Sequence, residues 1–426
     1  MPEKVDLPMF WGLDANSQDS MDALDWLTGT EAGKLLQAKN DDNLTKLEEI
    51  DKFYYNTAES LLLLHLQESK PTLMGFHHAF SLVSSRAFLV DAYHGLSMVP
   101  IADVFNHGAD NQVHLESDYN VCPECGSLQE CPHDKDDLTD VEHKLASSEN
   151  QEDNLDTSLL MVTNAGIPPD TEVFNTYGET LSNSQLLNQY GFMLETNDNM
   201  RLSWTMYNVV QELYTDLFLI ERLPTTERRN IVTYMFQVLT ALEVEEVEKL
   251  LSTQSDLVYY EDTKEEHFFV KYEGLSHPLW ALLFVLSLIR YRQSNKNFDV
   301  DPAALALDVL KLQTTLEALE GDDEGQIYEN DPVFNKSGKA DKAAVELLRG
   351  MSNLSVALCD HRGRNSGKPG SFDYDLFKLL DELPKGNTRT RLAVSLVITE
   401  RSILKNCQAG WQSMAKRISS TLPGLS

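Results

Sequence analysis

A chain of 426 residues with 42% hydrophobic and 24% charged positions has a globular make-up and the length of roughly two to three domains. Its formal net charge of −32 argues against non-specific nucleic-acid binding, which needs a basic surface. The same charge suits a basic protein partner, drawn in by the opposite field.

The opening segment from Met1 to Phe10 lacks the basic start and apolar run of a secretory leader. Residues 15–70 carry helical apolar spacing, and a further helix is expected from Leu73 through Phe88. The apolar run Leu96–Phe105 contains Pro100 and ends at Asn106-His107-Gly108, a turn signal. Residues 111–158 read as an insertion, cysteine-rich first and then acidic, and 134–156 are too polar to bury a core. A strand, a Pro168-Pro169-Asp170 turn and a second strand follow from Leu159, then a short helix from Leu181. From Arg201 the periodicity is helical almost throughout, with Thr225 and Asp301 at cap positions and loops at Gly321–Asp331 and Arg362–Ser371. Within it, Trp280–Ile289 is about half the length that spans a bilayer, so a buried helix is expected there, with Trp280 and Phe284 in the core. No membrane association is expected.

Five cysteines is an odd number, and three fall within ten residues, which fits a reducing compartment better than a disulfide framework. Cys122-Pro123-Glu124-Cys125-Gly126, followed by Cys131, has the spacing of a zinc-binding knuckle. His133 or His114 is the candidate fourth ligand. Reduced loop cysteines and a redox pair are the other readings; Cys359 and Cys407 read as isolated thiols.

Three sets of strings carry a family resemblance. Ser85-Arg86-Ala87-Phe88 precedes Pro100, Asp103 and Asn106-His107; Tyr177-Gly178 leads through Ser182-Asn183 to Tyr190-Gly191-Phe192; Arg391-Leu392-Ala393 precedes Glu400-Arg401. Pro8-Met9-Phe10-Trp11 and Leu27-Thr28-Gly29-Thr30 add to them. In this order they resemble the SET-domain protein lysine methyltransferases of the Rubisco-methyltransferase-like (LSMT) branch. The resemblance implies an α+β chain: a β-rich SET domain of the pseudoknot type over 1–200 and an all-helical substrate-binding domain over 201–426. That family opens with a strand and a Gly-x-Gly turn, and no such turn stands before Arg86. The SET domain is therefore expected to be incomplete at its N-terminus and to bind cofactor weakly as it stands.

The resemblance further implies S-adenosylmethionine as cofactor. Asn106 and His107 would contact it through their backbone, Arg86 would meet its carboxylate, and Asp103 belongs to the same string. Tyr190 and Phe192 would wall the pocket, and Tyr177 would be the catalytic tyrosine. The chemistry accounts for these types: a lysine amine must shed its proton to attack, and an apolar channel favours the neutral form. A tyrosine hydroxyl and nearby carbonyl oxygens then align it for in-line displacement. The function implied is transfer of a methyl group to the ε-amine of a basic protein such as a ribosomal protein, translation factor or histone, in cytoplasm or nucleus. The alternative is a SET-derived pseudoenzyme that only binds a protein partner.

Overall fold

The computed structural model describes residues 4–14, 16–66, 70–116, 121–127, 131, 159–217, 258–259, 268–272, 274–295, 311–312, 315 and 342–421. The acidic segment 134–156, both cap positions (Thr225 and Asp301) and the loop Gly321–Asp331 lie outside the described residues. The chain divides into two units, Met1–Leu13 with Ala38–Asn199, and Asp14–Gln37 with Met200–Ser426. Residues 14–37 thus fold with the second unit rather than within a 1–200 block.

The first unit begins with a 3-10 turn, Pro8–Leu13. After the two helices that belong to the second unit, α1 (Gln18–Leu27) and α2 (Glu31–Gln37), it resumes with α3 (Lys46–Phe53). Thr45 and Glu48 form a reciprocal capping box at the start of α3, satisfying backbone donors that a helix start leaves open. A π-turn at Tyr54–Ala58 leads into α4 (Glu59–His65). The helical stretch expected over 15–70 is thus broken into short pieces. Trp11, Ile50 and Tyr54 are buried, as is His77, whose Nε2 lies 2.6 Å from Asp51 Oδ1.

Helix α5 covers Leu73–Ser84 and stops short of Phe88. Ser85 Oγ turns back to donate to Ser81 O at 2.7 Å, and Ala87–Leu89 leave as strand β1. β1 pairs antiparallel with β2 (Leu96–Met98), and β4 (Val113–Glu116) with β5 (Leu160–Thr163). Between them, the expected turn at Asn106-His107 is instead strand β3, paired in parallel with β6 (Phe174–Asn175). Val90, Val99 and Ala102 form a small core under these hairpins, with Phe88, Leu115 and Met161 packed on it. Helix α6 (Asn183–Tyr190) follows, capped by Ser182 and Gln185 and closed by Gly191 in the left-handed region at φ 78°. A side chain at 191 would also press on Asp6 O, so glycine alone suits this end.

The second unit is helical but holds a four-stranded sheet that the helical reading of 201–426 left out. Its order is β7 (Leu202–Trp204), β9 (Phe268–Lys271), β10 (Gly274–Ser276), β8 (Val258–Tyr259). The run Phe268-Phe269-Val270 has the aromatic and β-branched content that a pleated, half-buried surface favours. Among the described residues the unit also holds, besides α1 and α2, helices α7 (Met206–Leu217), α8 (His277–Asn295), α9 (Lys342–Asn365), α10 (Leu376–Glu382) and α11 (Thr388–Thr421). Trp280 and Phe284 of α8 stack at 6.1 Å with no exposed surface, in the core as expected. Each such side chain contributes about 1.5–3 kcal/mol on burial. Helix α9 runs on through Arg362 to Asn365, so the loop expected from 362 begins only at Ser366. Cys359 and Cys407 are not isolated: both are buried and hydrogen-bonded to each other, which raises the Cys359 thiol well above the usual range. Among the described residues, no helix is long and apolar enough to cross a membrane.

Candidate active site

The site is organised by the parallel pairing of β3 and β6. Gly108 N–H donates to Asn175 O at 2.9 Å. Gln112 then grips Phe174 from both sides, its N–H donating to Phe174 O and its Oε1 accepting from Phe174 N–H, each at 2.9 Å. Asn106 Nδ2 reaches Glu172 Oε1 at 2.6 Å. These bonds set Tyr177, just past β6, beside His107, although the two are 70 positions apart in sequence.

Tyr177 N–H donates to His107 Nδ1 at 3.1 Å, which fixes the imidazole as the tautomer carrying its proton on Nε2. Burial lowers the His107 pKa, so the ring is held neutral. The Tyr177 hydroxyl donates to Phe105 O at 3.1 Å. Its pKa is raised, first by burial, with Asp103 adding to the rise and Arg86 opposing it. The phenol therefore keeps its proton through neutral pH.

Aromatic rings close around this centre. Tyr190 lies 4.7 Å from Tyr177 between centroids, and Phe192 lies 6.2 Å from it, edge-on. A buried asparagine fixes the segment carrying Phe192: Asn183 Nδ2 donates to Leu194 O at 2.9 Å and its Oδ1 accepts from Leu194 N–H at 3.1 Å. Asn197 Nδ2 donates to the same Oδ1 at 3.0 Å.

The rings of Tyr177, Tyr190 and Phe192 face a cavity of about 850 Å³. Arg86, Asp103, Asn106 and His107 line it together with Tyr177, Tyr190 and Phe192, so the seven residues singled out from sequence around the cofactor meet in one place. Arg86 is already engaged, its Nη1 donating to Asp103 O at 3.1 Å and Oδ2 at 3.3 Å. Its Nε is buried and has no hydrogen-bond partner among the described residues. The sequence reading gave no role to Asn183, Gln112, Glu172 or Phe105. Phe105, Glu172 and Asn183 stand within the strings that carry the resemblance, whereas Gln112 had no signal there.

The three clustered cysteines stand in the β4–β5 insertion, with every sulfur within 4.8 Å of the others. His114 is not with them: it lies on β4, lines the cavity and bonds Asn164 Oδ1 through Nδ1. His133 lies outside the described residues.

The α+β fold is that of the SET domain of LSMT. The solved structure of that domain bound to lysine and AdoHcy matches with a TM-score of 0.50, over 99% of this chain and 70% of that one, at 14% identity. In sequence the chain is related to ribosomal lysine N-methyltransferase 3 of Saccharomyces cerevisiae, 32% identical over 154 residues, covering 27% of this chain. The match spans 28% of that relative's length. No family model matches the sequence. The resemblance to LSMT-like lysine methyltransferases thus rests on fold and on sequence likeness.

Proposed function

We propose that this chain is a protein-lysine N-methyltransferase acting on a basic protein, with ribosomal proteins ahead of translation factors and histones. The observation that carries the reading is the pairing of the Tyr177 hydroxyl with Phe105 O at 3.1 Å, Tyr177 itself being part of the cavity wall. Two oxygens held together at one point, with rings on the other sides, are suited to gripping an amine while excluding water. Kinship with a ribosomal lysine methyltransferase supports the choice of substrate, and the net charge of −32 suits a basic one.

The residues fit S-adenosylmethionine. The cavity holds a cationic guanidinium whose buried Nε wants an acceptor, as an amino-acid carboxylate would provide. Tyr177, Tyr190 and Phe192 cluster on the cavity wall, and an aromatic ring face attracts a cation such as a sulfonium. When bound, the cofactor supplies a methyl group on positively charged sulfur. The chain's own part is positional. Partial burial of the cavity disfavours the ammonium form of an entering lysine, so its proton leaves to solvent before attack. The Tyr177 hydroxyl and the Phe105 carbonyl then hold the nitrogen lone pair in line. Neutral His107 anchors the Tyr177 backbone without adding positive charge near the reacting methyl.

The test is incubation of the full chain with tritiated S-adenosylmethionine and separate ribosomal-protein, translation-factor and histone fractions, followed by hydrolysis and separation of methyllysines. Label in methyllysine from the ribosomal fraction is expected. Binding of S-adenosylhomocysteine with no label in any fraction would leave a binding module instead of an enzyme.

A further inference from the structure

The cysteine knot takes no part in the chemistry above, yet its sulfurs form a cage. The Sγ atoms of Cys122, Cys125 and Cys131 all lie within 4.8 Å of one another. None is in a disulfide; Cys122 and Cys131 are buried and Cys125 is partly so. Ligands bound to one zinc ion at about 2.3 Å in tetrahedral geometry stand roughly 3.8 Å apart. The observed spacing therefore admits an ion at its centre with small side-chain adjustment. A disulfide would join only two of the three sulfurs and leave the third buried beside it.

The backbone is wound to match. Gly126 N–H donates to Cys122 O at 2.8 Å and Cys122 N–H donates to Ser127 O at 2.8 Å. The amides of Glu124 and Cys125 donate to the Cys122 sulfur. Such amide contacts are the outer-shell bonds that orient a ligand around its metal. Gly126 has φ 74°, and a side chain there would stand 2.9 Å from Tyr93 Cδ1. Only glycine lets the knuckle lie against the Tyr93 ring in the turn between β1 and β2.

We propose that Cys122, Cys125 and Cys131 bind one zinc ion as thiolates, their three protons passing to solvent, and that the ion fastens the β4–β5 insertion to the β1–β2 turn. Thiolate donors select zinc over the hard divalent cations. β1 contributes Ala87–Leu89 to the cavity wall and β4 contributes His114–Glu116. The metal thereby supports that wall without touching the reacting groups.

The full chain, expressed with added zinc and purified without chelator, should carry about one zinc per chain by elemental analysis. Cobalt(II) exchanged into the site should give sulfur-to-metal charge-transfer absorption in the near ultraviolet. Cys125→Ser, at the least buried of the three, should lose both signals with an unchanged far-ultraviolet dichroism spectrum. On chelation, amide exchange at Tyr93–Gly95 and Cys122–Ser127 should quicken ~10-fold or more, as expected for local opening. Zinc-free wild-type protein, or a full equivalent of zinc kept by the triple serine variant, would overturn the site. Zinc loss without faster exchange at Tyr93–Gly95 would overturn the fastening role.

Discussion

The hydroxyl of Tyr177 and the carbonyl oxygen of Phe105 meet at 3.1 Å across 72 positions of sequence. Removing the hydroxyl leaves the ring packing with Tyr190 and Phe192 in place. Tyr177→Phe should lower turnover in labelled methyl transfer by ~10²-fold, the scale of losing one preorganised group at a reacting centre. Affinity for S-adenosylhomocysteine should change little, because the ring still walls the pocket. A fall in kcat with unchanged ground-state binding marks an interaction made in the transition state. Full activity in the variant would refute the role.

Arg86 and Asp103 sit together on the cavity wall, 3.3 Å between Nη1 and Oδ2. If the guanidinium serves an anionic ligand, the two partners are not equivalent. Arg86→Ala should weaken S-adenosylhomocysteine binding ~10-fold or more, the size of a lost charged hydrogen bond. Asp103→Asn keeps an oxygen for Nη1, removes a competing negative charge, and should leave affinity unchanged or higher. Calorimetry on both variants decides it. Equal losses would make the pair a structural bridge only.

The parts of this site legible in the sequence were those carried by local strings. Arg86, Asn106-His107, Tyr177, Tyr190 and Phe192 each lie in a short string, and all line the cavity. What the strings did not disclose is pairing at a distance. Asn106-His107 read locally as a turn, since two residues carry no strand periodicity, and became a strand only through β6. The sheet of the second unit was missed for the same reason: its strands have two to four residues each, set in a helical background. Arg86 pairs with Asp103 across 17 positions, a contact no periodicity encodes.

Asn183 is 4% exposed and holds Leu194 by both its amide and its carbonyl. Asn183→Ala would strip partners from the Leu194 backbone and from Asn197 Nδ2. Buried polar groups left without partners cost about 1–3 kcal/mol each. The variant should melt several degrees lower, and the Phe192 wall should loosen, reported by weaker S-adenosylhomocysteine binding. A calorimetric melt within error of wild type would show that the clamp adds nothing.

Glu400, in the second unit, gives a prediction with a pH sign. It is fully buried on α11, and Oε1 accepts from Glu31 N–H at 2.9 Å. Burial raises its pKa to about 8, with the Glu31 carboxylate adding to the rise and Arg362 and Lys34 opposing it. Glu31 itself is occupied by Arg362 Nη2 at 2.8 Å, Lys34 Nζ at 2.9 Å and Ser203 Oγ at 2.8 Å. The folded protein thus binds a proton on Glu400 at a pH where the unfolded chain, near 4.5, has released it. A raised folded-state pKa contributes stability that is complete below about pH 4.5 and is lost as pH rises through about 8. Wild-type protein should therefore lose stability between those values. Glu400→Gln keeps an oxygen for the Glu31 N–H and carries no titrating proton. Its thermal midpoint should match wild type at pH 5 and exceed it at pH 8, with a flatter profile between. Each unit of pKa separation is worth about 1.4 kcal/mol, so a difference of several degrees is expected. Parallel profiles for the two proteins from pH 5 to 8 would mean that Glu400 is already ionised in the fold, balanced by Arg362 and Lys34.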